Sequence, residues 1–189
     1  MEKQLGILSF TEINELIDRG VIEGASRLNV NASSLNVTLA TKFLLEKRDN
    51  NTVSGLHYNA LEFSKRQSPA FTEVEGGVYL TPGAFCLASI VEKVNLPADI
   101  ACHVLLRSSA ARMGLEHSLA GFVEGTFSGH LTLELHNVLK YHTIHIRSGD
   151  SVCQLVFQRT HAIPNGQHYK GKYSNFNCPV SVLPEYEQT

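Results

Sequence analysis

What this chain is short of narrows its class. It has little net charge: 16 Lys and Arg stand against 18 Asp and Glu, a formal −2 at pH 7. That balance provides no basic field to hold a polyanion, so no nucleic-acid partner is expected. No apolar run approaches the roughly 18 residues that a membrane helix needs, and the opening MEKQLGILSF lacks the pattern of a signal peptide. A cytoplasmic protein without a membrane partner is therefore expected. Cysteine is also scarce and scattered: Cys86, Cys102, Cys153 and Cys178, with no Cys-x-x-Cys pair. The first three lie in apolar, strand-like runs, where a free thiol behaves as a small core residue. A reduced, cytosolic compartment is the simplest account.

What is there suits one globular domain spanning residues 1–189, because 43% hydrophobic and 18% charged residues can build a sizeable core. Ser9-Phe10-Thr11-Glu12 reads as a capping box, with Leu8 and Ile13 as its hydrophobic staple. Phe10, Ile13, Leu16 and Ile17 then form one face of a short helix that Gly20 stops. From Ala32 onward the periodicity is that of strands. Leu35, Val37 and Leu39 alternate with Asn36 and Thr38. Residues 46–75 are polar and irregular and read as an excursion from the core. Gly77–Leu80, the turn Thr81-Pro82-Gly83 and residues 85–91 read as a hairpin. Further strands are expected at Ile100–Leu106, 141–147 and 151–158, with a single helical segment over 108–114 ended by Gly114. The expected fold is mainly all-β, a distorted β-barrel or jelly roll with a short N-terminal helix and one short internal helix.

The chemistry concentrates in residues 106–137, LRSSAARMGLEHSLAGFVEGTFSGHLTLELHN. Arg107, Ser108, Ser109 and Arg112 are a compact set of guanidinium and hydroxyl donors suited to phosphates and polar transition states. Ala120 to Gly129 is turn-rich backbone that can approach a ligand closely. His130-Leu131-Thr132-Leu133-Glu134-Leu135-His136 then alternates strictly. If the three leucines face the core, Glu134 is a carboxylate held on a rigid strand. Arg-Ser-Ser alone is more often an ordinary helix start, and a lone strand glutamate is more often solvated. Their combination at this spacing is what carries weight.

This stretch resembles the signature of the dCTP deaminase family, within the trimeric dUTPase superfamily. That family carries Gly-Arg-Ser-Ser-x-x-Arg-x-Gly-Leu, then Ala-Gly-x-Ile-Asp-x-Gly-Phe-x-Gly, then Ile-Thr-Leu-Glu-Leu/Phe-x-Asn. The similarity extends to Asn31-Ala32-Ser33-Ser34-Leu35-Asn36-Val37-Thr38-Leu39, Leu80-Thr81-Pro82-Gly83, Leu96-Pro97-Ala98-Asp99-Ile100 and the run from Gly149 to Phe157. It implies a dUTPase-like fold, a homotrimer, and zinc-independent deamination of a deoxycytidine nucleotide, foremost dCTP to dUTP and ammonia. It implies Mg²⁺ on the triphosphate, no metal held by protein side chains, and dUTP or dTTP as product or inhibitor. Glu134, Ser108 and Arg112 take the catalytic positions. Arg107, Ser109, Ala111, Ala120, Gly121, Glu124, Thr132, Gln154, Tyr169 and Lys172 take substrate-binding ones. The segment from about 160 to 189 is expected to close over the phosphates.

Zinc cytidine deaminases carry His-x-Glu followed by Pro-Cys-x-x-Cys, and neither pattern occurs here. His142 and His145, three apart on a strand, face opposite sides. Surface or supporting roles are expected for His117, His130 and His136. Two alternatives stay open: a bifunctional enzyme that carries dCTP on to dUMP, and a non-catalytic nucleotide-binding regulator. Three positions depart from the family pattern. Val123-Glu124 replaces Ile-Asp, Leu106 replaces the glycine before Arg-Ser-Ser, and Phe176 stands where the family often has a phosphate-binding Gln. The extra methylene of Glu124 moves its carboxylate by more than about 1 Å, which matters for sugar recognition or a dUTPase-type water.

Overall fold

The structure is a computed structural model that describes residues 4–47, 69–118, 121–171, 173–174 and 179. In chain order it forms β1 (Gly6–Ile7), α1 (Phe10–Asp18), β2 (Ile22–Glu23), a 3-10 turn (Arg27–Asn29), β3 (Leu35–Val37), β4 (Leu39–Glu46), β5 (Phe71–Glu75) and β6 (Gly77–Leu80). There follow β7 (Phe85–Asn95), β8 (Ile100–Leu106), α2 (Ser108–Arg112), β9 (Leu115–His117), β10 (Phe122–Val123), β11 (Ser128–Asn137), β12 (Ile144–Arg147) and β13 (Cys153–Arg159). The strands make a sheet ordered β1-β13-β8-β10, with β3 also on β13, and a second ordered β5-β4-β7-β11-β9, with β2 also on β7. β12 and β6 form a separate pair. The pairings among the described strands are antiparallel, and the mainly all-β, jelly-roll expectation holds.

Local chemistry explains the elements that were legible from short range. At the start of α1, the Glu12 carboxylate accepts from both the N–H (3.0 Å) and the hydroxyl (2.9 Å) of Ser9. Leu8 and Ile13 bury completely beside it, as a hydrophobic staple should. Phe10 does not join them; it is 52% exposed, on the solvent side of the helix. β7 is buried on both faces, so residues 86–90 run apolar with Ser89 rather than alternating. β11 is buried on one face only and alternates over its whole length.

Long-range pairing corrects four expectations. Residues 35–39 are not one strand. The chain changes sheet at Thr38, whose N–H goes to the Glu92 carboxylate (3.0 Å) and whose carbonyl accepts from Val91 N–H (2.8 Å). Burial alternates straight through that switch, so periodicity cannot see it. Residues 77–91 are not a hairpin, since β6 pairs with β12 while β7 pairs with β4, β11 and β2. The Thr81–Gly83 corner is hooked to the end of β11 by Gly83 N–H donating to the Asn137 carbonyl (3.0 Å), which sends its two arms to different sheets. The fully buried Asn137 amide completes the hook on the carbonyls of Leu80 (2.7 Å) and His142 (2.9 Å). Residues 71–75, placed in the excursion, are β5 and pair with β4; residues 48–68 lie outside the described residues. The strand expected from 141 begins at Ile144, and Tyr141 is exposed.

The core runs from Leu8 and Ile13 through Phe43, Ile90 and Leu133 to Phe157. Cys86, Cys102 and Cys153 lie in it as free thiols. One buried charge braces the rim. Arg159, at the end of β13 and 4% exposed, bonds Asp99 (3.0 Å) and Glu12 (3.3 Å), tying three elements together.

Candidate active site

β11 places Glu134 between Leu133 and Leu135, both with 0% exposure. Those leucines anchor the strand in the core, so the carboxylate is held on the opposite face with little freedom. It lines a cavity of about 430 Å³ with Thr132, His130 and Leu131 of the same strand. Phe71, Phe85, Leu87, Val104, Phe122 and Phe127 supply apolar walls, and Glu124, Tyr169 and Tyr173 supply polar groups at other points. A mostly apolar cavity with a few convergent polar groups is the form a small-molecule site takes.

Burial raises the pKa of Glu134 above the ordinary carboxyl value, opposed by a hydrogen bond from its own backbone. Its Oε2 is buried and has no hydrogen-bond partner. His117 Nε2 lies 3.9 Å away, equally buried and equally unpartnered. This is not an ion pair near neutral pH, because burial also holds the pKa of His117 down. The Glu134 charge reaches Cys153, whose thiol is pushed up to about 12, first by burial and then by that carboxylate. A thiol so protonated is inert.

The structure brings only some of the expected residues together. Glu134, Thr132, Glu124 and Tyr169 share the cavity. Tyr169 is fixed there by its N–H on Thr126 Oγ1 (2.7 Å) and by its ring against Phe127 (5.8 Å). Burial raises its phenol pKa, reinforced by the Glu124 charge. The segment after Thr160, with no periodicity of its own, is laid down by Thr160 N–H on Asp99, Ile163 N–H on Ala98 and this Tyr169 contact. Gly121 is required where it stands, because a Cβ would run into the Val104 carbonyl oxygen. Its own carbonyl accepts from Val104 N–H (2.7 Å).

Ser108, Ser109, Ala111 and Arg112 are exposed on α2 and do not line the Glu134 cavity. Among the described residues no ion pair joins Arg112 to Glu134. Arg107 turns its guanidinium to the Ser151 carbonyl (2.8 Å), and Gln154 accepts from Ser34 Oγ (2.9 Å). Ala120 and Lys172, like Phe176, lie outside the described residues. His117 stands beside Glu134, and His130 shares its cavity. His130 lines the cavity and its Nδ1 sits 3.1 Å from the Ile90 carbonyl. Strict alternation already placed His130 on the Glu134 face.

Residues 7–160 match the family model described as dCTP deaminase-like. The chain belongs to that family. It is 32% identical over 183 residues to a "dCTP deaminase, dUMP-forming" of Coprothermobacter proteolyticus, covering 92% of this chain and 93% of that one. It is 31% identical over 186 residues to a protein of the same description from Dictyoglomus thermophilum, covering 93% of each. Among solved structures, the 2'-deoxycytidine 5'-triphosphate deaminase from Agrobacterium tumefaciens superposes with a TM-score of 0.65 at 22% identity. That match covers 87% of this chain and 51% of the other, so this chain spans about half its length, and the likeness shows the fold. Among the described residues no three His, Cys, Asp or Glu side chains gather as a metal site, and no helix is long and apolar enough to cross a membrane.

Proposed function

We propose that this protein hydrolytically deaminates dCTP and carries the product on to dUMP. The observation that carries the deaminase reading is Glu134, a carboxylate of raised pKa, unpartnered at Oε2, on a rigid strand in a ligand-sized cavity. General acid–base work near neutral pH needs such a group. Water adds to C4 of cytosine while Glu134 takes one of its protons and delivers it to N3. The C4–amino bond then breaks, the remaining hydroxyl proton goes to the departing nitrogen, and uracil and ammonia result. The sequence reading favours dUTP as the end product. The relatives described as dUMP-forming favour a second hydrolysis, at the α–β phosphate bond, releasing pyrophosphate.

Glu124 is the second carboxylate of the cavity and the candidate to orient the deoxyribose or that second water. Ser108, Ser109 and Arg112 are exposed and do not line their own Glu134 cavity. On this reading they serve the cavity of a neighbouring copy in a homotrimer, where the guanidinium steadies developing negative charge. Mg²⁺ travels with the triphosphate, and Lys172 with the C-terminal segment of a single domain closes over it. The test is product analysis from dCTP, with dCMP and CTP as controls. Equal amounts of ammonia and pyrophosphate, with dUMP, are expected. Ammonia with accumulating dUTP removes the second step; nucleotide binding without ammonia removes the whole reading.

A further inference from the structure

Thr126 holds a backbone conformation that does not suit it. The turn Glu124-Gly125-Thr126-Phe127 closes with Phe127 N–H on the Glu124 carbonyl (3.2 Å), and its third residue has φ +69°. A four-residue turn with positive φ at that position calls for glycine or asparagine. A β-branched side chain crowds its own backbone there, and the conformation persists only where the surroundings hold it. Among the described residues Thr126 is the one non-glycine residue with a positive φ.

The side chain that causes the strain also makes a bond. Thr126 Oγ1 accepts from the N–H of Tyr169 (2.7 Å), far along the chain in the segment after β13. Residues 164–168 and Lys170 are exposed, whereas Tyr169 between them is half-buried and packs on the core, its ring against Phe127 (5.8 Å between centroids). The hydrogen bond just before it, Gln167 N–H on the Pro164 carbonyl (3.1 Å), is internal to the segment. Turn and segment meet at the cavity: Glu124, Phe127 and Tyr169 line it together with Glu134, while Thr126 does not. A glycine at 126 would relax the turn and delete the bond in one step.

We propose that Thr126 is a positioning residue for the nucleotide site: its hydroxyl, kept despite the backbone strain, seats Tyr169 in the cavity wall before the nucleotide arrives. This rests on the deaminase reading above. Ordering an exposed segment during binding costs affinity, and a wall set beforehand removes that cost. Thr126 lies outside the cavity, away from the reacting atoms, so its loss falls on KM rather than on kcat.

Three substitutions separate the hydroxyl from the strain. Thr126→Ser keeps the hydroxyl, Thr126→Val keeps the branched shape without the acceptor, and Thr126→Gly removes acceptor and strain together. In the nucleotide-free full chain, hydrogen exchange of the Tyr169 amide is expected to quicken about fivefold or more in the Val and Gly variants and to stay near wild type in Ser. For ammonia release from dCTP, KM should rise about 3- to 10-fold in Val and Gly with kcat within about twofold, and Ser should keep the wild-type KM. The Gly variant should melt above the Val variant while sharing its raised KM, a split that a purely structural Thr126 would not produce. Wild-type amide exchange and KM in the Val variant overturn the proposal, as does a loss confined to kcat or a Ser variant that behaves like Val. A KM that falls also overturns it, since the seated Tyr169 would then obstruct the site. If wild type releases no ammonia, the deaminase reading falls, and amide exchange with calorimetric dCTP binding still decides the role of Thr126. If the Val variant does not fold, the contrast between Gly and Ser carries the decision.

Discussion

Replacing Glu134 by Gln separates chemistry from architecture unusually well in this molecule. Gln keeps the volume and one oxygen acceptor, so β11 should still bury Leu131, Leu133 and Leu135. The substitution removes a charge that burial already disfavours and that, among the described residues, has no Lys or Arg partner. Arg112 is exposed, and His117 at 3.9 Å is held neutral by burial near pH 7. Had Glu134 been half of a buried ion pair, breaking it would cost about 3–5 kcal/mol. With no such partner, melting should stay level or rise. What Gln cannot do is take a proton from water and give it to N3. A general acid–base group contributes on the order of 10²–10⁴ in rate, which corresponds to about 3–5 kcal/mol of barrier at 1.36 kcal/mol per decade. The assay is ammonia release from dCTP, with calorimetric dCTP binding and thermal melting on the same preparation. A fall in kcat of that size, with binding and melting retained, is expected. A variant that melts early yet turns over within tenfold of wild type would refute the reasoning and make Glu134 structural.

The pH dependence of stability should carry two opposite signatures. The folded pKa of Glu134 is raised, so its contribution to stability is full below the ordinary value of 4.5 and is lost as pH rises through the folded value; the melting temperature of Glu134→Gln relative to wild type should therefore climb over that window. The folded pKa of His117 is lowered, so its contribution is full above 6.5 and is lost as pH falls through the folded value, and His117→Gln should flatten that decline. Gly121→Ala should cost about 1–3 kcal/mol and weaken nucleotide binding, by pushing β10 off Val104; unchanged urea unfolding would contradict this. At the rim, Glu12→Gln with Asp99→Asn strands a buried guanidinium and should cost about 3–5 kcal/mol, more than Arg159→Met, which leaves carboxylates that are 32% and 40% exposed; the reverse order in urea melts would overturn it. On the proposed homotrimer, Glu134→Gln and Ser108→Ala chains co-assembled in equal amounts should recover about a quarter of wild-type deamination, since a quarter of randomly formed interfaces would unite two intact partners; no recovery would argue for sites within one chain.

The parts of the fold that could be read from the chain are those settled within one element. The capping box of α1, the Gly114 stop after α2 with φ +82° and the alternation of β11 depend on neighbours a few residues away. Pairing could not be read so well. Gly77–Leu80 and residues 85–91 have the composition and turn of a hairpin, yet the buried amide of Asn137, more than 45 residues onward, hooks the corner and separates the arms. Phe71 reads as part of an excursion because residues 46–75 are polar and irregular as a whole. Pairing with Glu46 at the edge of the second sheet brings it to the cavity wall.

The candidate site divides along the same line, and the division bears on what the site is for. Alternation suffices to place Glu134 opposite the core, but its chemistry comes from groups that alternation cannot locate. His117 approaches from β9, seventeen positions earlier, and Cys153 lies within reach of its charge from β13. Those neighbours partly desolvate the carboxylate, and among the described residues no Lys or Arg is paired with it. An arrangement of that kind lowers stability and raises proton affinity together. It is hard to account for as scaffolding, since an apolar residue at 134 would pack the same strand against Leu87 without the electrostatic cost. The cost makes sense where a bound ligand supplies the hydrogen bonds that the protein itself does not. The exposure of Arg112 fits the same logic. Placed beside Glu134 within the chain, it would lower the pKa that proton transfer requires. In the proposed homotrimer, a neighbouring copy's Arg112 would meet the developing charge of the substrate while the carboxylate keeps its raised pKa.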